Sequence, residues 1–178
     1  MPSRASRLWS QYVGDPKDMI VRLGAELRQV GAVDPGGLYR AGVVALVAAW
    51  ERSVEELAKQ IVESRPRQGA WKTRKQRVLS MVRTFSTPSA ENVERLLHAA
   101  LDADPWHGVA AGGLTEVQTR LEVNKHLVVR HTIAHGTARP IHDLQRLMGG
   151  VTFFDELVAQ VDARARSVLT IELGHAPW

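Results

Sequence analysis

The sequence contains no cysteine among its 178 residues. This absence excludes a disulfide framework, a zinc site built on thiolates and a thiol nucleophile. The chain also lacks an apolar run of the roughly 18 residues that a transmembrane helix needs. Residues 1–9 are polar and basic, without the apolar core of a signal peptide. We therefore expect a cytoplasmic protein with no membrane-spanning segment.

Acidic residues are missing from residues 64–90, and this stretch carries the chain's highest density of positive charge. The formal net charge of +4 and the sequence pI near 9.8 favour polyanionic partners. The basic segment (residues 65–83) therefore predicts an RNA-binding track, in which cations meet phosphates and a tryptophan stacks on a base. The predicted contacts are Arg65, Arg67, Trp71, Lys72, Arg74, Lys75 and Arg77. A plain solvated helix face that flanks Val78 and Val82 is the alternative.

Helical spacing of apolar residues runs through the chain, and no segment shows the alternation typical of strands. We expect one all-α domain over residues 1–178, a bundle of five to six helices with its core over about 15–173. Capping and helix-stop residues set the expected boundaries. The predicted helices run from Asp15 to Gly31, after Gly37 to Glu63 (the longest and central one), through the basic segment, from Ser89 to Pro105, from Thr115 to His135, and from Thr152 to about Leu173.

The end of the fifth predicted helix combines Arg130, His131, His135 and the helix stop Gly136. On a helical wheel the two histidines share one face with Val117, Leu121, Asn124 and Val128. Arg130 lies roughly 140° from His135 around that wheel, so within one helix the two side chains diverge. Arginine binds phosphate through a planar fork of donors, and imidazole transfers protons near neutral pH. The combination suits phosphodiester cleavage.

Three other roles are open for these residues. The histidines could be core side chains bonded to backbone carbonyls, or cations at the negative end of the helix dipole. His131 and His135 could also ligate a metal, but no glutamate lies between them and no third ligand is evident, so we expect no metal. Arg130 could pair with Glu51, which lies in the middle of the second predicted helix next to Trp50.

The segment Leu127 to Gly136 resembles the signature of HEPN-domain proteins, in which an arginine is followed after four to six residues by a histidine at a helix end. Four residues separate Arg130 from His135. The stretch from Leu38 into Trp50-Glu51 is similar to the second helix of the RiboL-PSP and related HEPN families, as is Ser89 to Leu101. The likeness covers residues 36 to 173. Those families usually carry an asparagine directly after the arginine, where this chain has His131.

The resemblance implies an HEPN-like homodimer that acts as a metal-independent, cofactor-free endoribonuclease, in a toxin–antitoxin or antiviral setting with an antitoxin or defence partner. RNA is then cut by attack of its 2′-hydroxyl, which leaves a 2′,3′-cyclic phosphate and a 5′-hydroxyl. We expect His135 to be the general acid/base and Arg130 to bind the phosphate. His131 would act as a second proton-transfer or phosphate-binding group, Glu51 as an orienting carboxylate and Asn124 as a weaker RNA contact. A non-catalytic module that binds RNA, a nucleotide or a partner protein is the alternative.

Overall fold

The structure is a computed structural model that describes residues 1–14, 18, 35–65, 69–136 and 144–178. These residues form six α-helices and no strand, which confirms the predicted all-α bundle. The helices are α1 (4–14), α2 (Pro35–Glu63), α3 (Ala70–Arg83), α4 (Ala90–Leu101), α5 (Glu116–Ala134) and α6 (Leu144–Leu173).

Helix α1 was not predicted from the sequence, and it extends the core ahead of residue 15. Ala5, Trp9 and Val13 recur every four residues, so they share one face of α1, and all three are buried. The indole nitrogen of Trp9 donates a hydrogen bond to Asp155 of α6 at 2.6 Å. The helix predicted from Asp15 to Gly31 lies outside the described residues, apart from residue 18.

Helix α2 is the central helix, as predicted, because it packs against α3, α4, α5 and α6. Its proline at the first position, Pro35, has no backbone N–H to leave unsatisfied there. The apolar stripe of α2 is buried along its length, and Trp50 packs against Phe154 of α6 with ring centroids 5.7 Å apart. Every other helix of the site is therefore positioned relative to α2.

The predicted starts of α4 and α5 are confirmed by their caps. The hydroxyl of Ser89 accepts a hydrogen bond from the Asn92 backbone at 3.1 Å, and Thr115 forms a capping box with Gln118. Helix α4 ends at Leu101 rather than at Pro105, because Asp102 adopts a left-handed conformation with φ of 62°.

Helix α6 begins at Leu144, so the predicted start at Thr152 is wrong. The Thr152 hydroxyl donates to the Met148 carbonyl at 3.2 Å, as an interior helical residue does, instead of capping a new helix. Gly149 and Gly150 do not stop the helix. A Cβ at Gly150 would lie 2.9 Å from the His126 ring, so this glycine permits close packing on α5. At 30 residues α6 is also longer than α2, which has 29. None of the described helices has an apolar stretch that could cross a membrane.

Candidate functional site

The histidine pair, His131 and His135, lies on the protein surface at the end of α5. The helix stops there because Gly136 takes a left-handed φ of 68°, and the His135 backbone N–H donates to the His131 carbonyl at 3.0 Å. Both side chains are exposed, and their ring centroids are 4.2 Å apart with an angle of 57° between the planes. The core role that the sequence left open is therefore excluded. Two adjacent imidazoles face solvent, where a substrate can reach them.

Arg130 lies on a different side of α5 and is half-buried. Its positive charge acts on Glu51 of α2, whose pKa is raised by burial and by the neighbouring Glu55, and is lowered in part by Arg130 and Arg52. No carboxylate within the described residues forms an ion pair with Arg130. The Arg130–Glu51 ion pair, one of the alternatives from the sequence, is therefore not formed. Among the described residues, no carboxylate therefore competes with a ligand for the guanidinium donors.

Glu55 is the neighbour that sequence reasoning missed. It is almost fully buried one turn after Glu51, and it accepts a hydrogen bond from Arg52 at 2.9 Å. Like charges four residues apart on a helix repel each other. The spacing of two glutamates after Trp50 was the available signal, because residues four apart on a helix lie on the same side.

The α5 stripe (Val117, Leu121 and Val128) is apolar and faces solvent. These side chains are 66%, 55% and 65% exposed, respectively. They share a helix face with Asn124 and the histidine pair, since positions 117, 121, 124, 128, 131 and 135 are separated by alternating steps of four and three residues. The opposite face of α5, with Thr119, Val123 and Leu127, is the one buried in the bundle. Contiguous exposed apolar side chains next to polar groups are typical of interaction sites.

Asn124 is engaged within the protein at both ends of its amide, so its predicted contact with RNA stays a prediction. Its oxygen accepts from the Ala90 backbone N–H at 2.9 Å, and its nitrogen donates to Glu91 at 3.2 Å. Asn124 therefore joins α5 to the first turn of α4.

Arg65 is the clearest correction within the basic segment. Its side chain is completely buried, whereas an RNA contact must be accessible. The guanidinium group donates to Glu172 of α6 and to the carbonyls of Ala100 and Leu101 at the end of α4. Arg65 is an internal tie between α4 and α6, and the predicted phosphate contact is wrong.

Trp71 and Arg74 belong to the same internal cluster. The guanidinium carbons of Arg65 and Arg74 lie 3.9 Å and 4.8 Å from the centre of the Trp71 ring. Arg74 also donates to the Ala99 carbonyl at 2.8 Å and to Asp102 at 2.6 Å, and this ion pair lowers the pKa of Asp102. The indole is thus engaged by two protein cations, and both residues are partly buried. Their predicted contacts with RNA stay predictions.

The remaining predicted RNA contacts of the basic segment differ in how far they are exposed. Lys72 and Arg77 are exposed on α3 and Lys75 is half-buried, so all three stay available to an anion. Arg67 lies outside the described residues. Nowhere in the described ranges do three histidine, aspartate or glutamate side chains cluster as metal ligands would.

Comparisons of the chain with protein-family models, curated proteins and solved structures found no match. The HEPN resemblance therefore stays a prediction carried by the motif at the end of α5. Any functional assignment depends on the residues themselves, namely the histidine pair, Arg130, Glu51 and the surface around them.

Proposed function

We propose that this protein is a metal-independent endoribonuclease whose site is the end of α5. The observation that carries the proposal is the pair of neighbouring, solvent-facing imidazoles beside Arg130, which pairs with no carboxylate among the described residues. Proton transfer and phosphate binding are the two tasks that RNA cleavage by its own 2′-hydroxyl requires.

The chemistry assigns a task to each group. One imidazole takes the proton of the 2′-hydroxyl as that oxygen attacks the adjacent phosphorus, and a second protonates the departing 5′-oxygen. His135 fills one of these roles and His131, whose ring is 4.2 Å away, supports the other or holds the phosphate. Arg130 donates to the phosphate oxygens as charge develops on them. The products are a 2′,3′-cyclic phosphate and a 5′-hydroxyl.

Glu51 is a positioning residue in this scheme. Its carboxyl group is partly buried and close enough to feel the charge of Arg130, but no ion pair joins the two groups. Burial raises the pKa of this carboxyl group. In this arrangement the glutamate biases the orientation of the guanidinium while the donors stay free for substrate.

A second copy of the chain completes the proposed site. Arg130 and His135 diverge around α5, so one helix does not aim both at one phosphate. The α5 stripe continues directly into the histidine pair, with the alternating spacing of three and four that suits helix–helix packing. A symmetric dimer through this stripe would bury it and bring both histidine pairs and both arginines to one cleft. Because the chain resembles HEPN proteins, we also propose that it acts in a toxin–antitoxin or antiviral system, together with an antitoxin or defence partner.

The deciding experiment incubates labelled RNA with the protein in the presence of a chelator and reads the 3′ ends of the products. We expect cyclic phosphate ends from the wild type and a loss of at least about a hundredfold in rate for His135→Ala and for Arg130→Ala. His107→Ala, which removes an exposed histidine from the loop before α5, is the matched control and should cleave normally. Undiminished cleavage by either site variant refutes the assignment. Intact RNA retained with strong salt dependence would instead identify a binding module.

The dimer is tested on the same material. Val128→Glu should produce a monomer by light scattering and lose cleavage together with dimerisation. Ile171→Glu is the matched control, because Ile171 is 82% exposed on α6 and lies outside the stripe. A Val128→Glu monomer that still cleaves at the wild-type rate would refute the shared site.

A further inference from the structure

Helices α3 and α4 lie antiparallel, and the two ends of the seam between them differ in charge balance. At one end Arg74 near the start of α3 is neutralised by Asp102 at the end of α4. Arg65 beside it is neutralised by Glu172. The cations at this end are therefore compensated within the protein and hold the helices together.

The other end of the seam opens into a groove of about 460 Å³. Arg77 of α3 and Arg95 of α4 line it, together with the hydroxyl-bearing Ser86 and Thr87 and the apolar Met81 and Phe85. None of the described residues that line it is acidic. This volume lies within the range of small-molecule sites, and its lining mixes an apolar surface with a few polar groups, as such sites do.

Among the described residues, Arg95 is held in place by neutral groups. It donates to the Asn92 side chain at 2.7 Å, and Asn92 in turn donates to the Thr87 carbonyl at 2.8 Å. Arg77 is exposed and, within the described part of the chain, no carboxylate pairs with it. Two uncompensated positive charges in one groove repel each other, and a bound anion turns that repulsion into attraction. The bond to Asn92 also reduces the side-chain entropy that Arg95 loses on binding.

We propose that this groove binds the phosphate group of a nucleotide, either a free nucleotide or one unit of a single-stranded RNA. The guanidinium groups of Arg77 and Arg95 donate to the phosphate oxygens. Met81 and Phe85 provide an apolar surface for the sugar or the base. The groove lies between α3 and α4 and uses no residue of the α5 motif, so the inference does not depend on RNA cleavage.

The test measures binding of two probes that cannot be cut, adenosine 5′-monophosphate and a fluorescein-labelled 2′-O-methyl oligoadenylate, by calorimetry and fluorescence anisotropy. The variants are Arg77→Gln and Arg95→Gln. Arg7→Gln is the matched control, because it makes the same substitution at an exposed position of α1 outside the groove. Each arginine variant should weaken binding about tenfold and the control less than about twofold, since a charge-assisted bond is worth about 1.5 kcal/mol or more.

The two probes distinguish the source of the phosphate. Arginine-dependent binding of the monophosphate identifies a free nucleotide as a ligand, and arginine-dependent binding of the oligonucleotide alone identifies an RNA strand. Melting temperatures of the variants equal to or slightly above that of the wild type would show that the fold is intact, as expected when a repulsive pair is relieved. The proposal is overturned if neither probe binds at millimolar concentration, or if Arg7→Gln weakens binding as much as the Arg77 and Arg95 variants do. Either result leaves the cleavage assay at α5 unaffected.

Discussion

Replacing Arg65 by methionine separates the two roles that the basic segment could give this residue. Sequence reasoning makes Arg65 a phosphate contact, whereas the structure places its side chain out of solvent against Glu172 and the last carbonyls of α4. The first role predicts a loss of RNA affinity with little loss of stability. The second predicts the reverse.

The expected cost follows from the groups that Arg65→Met leaves behind. Breaking a buried ion pair by removing one partner costs about 3–5 kcal/mol. The lower end applies here because Glu172 is 34% exposed and can regain water. The carbonyls of Ala100 and Leu101 lose a charged donor, which adds about 1 kcal/mol in total if they relax toward solvent. Packing of the methionine side chain on Trp71 offsets part of this. We expect a net loss of about 3–4 kcal/mol in the free energy of unfolding.

Urea and thermal unfolding measure this loss directly. For a chain of this size, 3–4 kcal/mol corresponds to a fall of about 10 °C in melting temperature. Arg77→Met is the matched control, an exposed arginine on α3 for which we expect a change within about 0.5 kcal/mol. An Arg65→Met protein as stable as this control would refute the internal tie. If it also lost RNA affinity, the original phosphate contact would be restored.

Two further predictions concern the contact between α5 and α6. Gly150→Ala should lower the free energy of unfolding by about 1–3 kcal/mol, because the new methyl group would meet His126 at 2.9 Å and Leu46 at 3.3 Å. Gly149→Ala, with open space around it, should raise the free energy of unfolding by up to about 1 kcal/mol, and equal effects in urea titrations would contradict this packing. Burial lowers the pKa of His126, against the opposing effect of Glu122, so the unfolded chain takes up a proton near pH 6.5 that the folded chain does not. Stability should therefore fall as the pH drops below about 6.5, by at most about 1.4 kcal/mol per pH unit, and unfolding curves of His126→Asn that keep the full slope would contradict this origin.

Local signals in the sequence predicted those parts of the fold that depend on neighbouring residues. The Ser89 cap, the Thr115–Gln118 capping box and the Gly136 stop act within one helical turn, and all three are present in the structure. The start of α6 could not be predicted in this way. A glycine pair normally weakens a helix, but Gly150 is retained because His126 of another helix packs against it.

The basic segment shows the corresponding limit for the candidate site. The sequence around Arg65 and Arg77 does not distinguish the two arginines, since both lie in a stretch without acidic residues. Their environments differ because Glu172, 107 residues further along the chain, folds back onto Arg65 and no carboxylate lines the groove at Arg77. Charge density in a sequence therefore predicts that cations are present. It does not predict which of them are compensated within the fold.

Helix α5 shows why the motif residues alone do not define the site. On a helical wheel, α5 has apolar side chains on two faces. The periodicity of the sequence could not indicate which of these faces is buried against the other helices. The structure assigns Val123 and Leu127 to the core, which leaves Val128 and Leu121 in solvent beside the histidine pair. Exposed apolar side chains beside polar groups favour an interaction site, and here the proposed catalytic histidines lie at the end of that exposed side. The partner that buries the stripe would also enclose the imidazoles, so assembly and formation of the proposed site are one event.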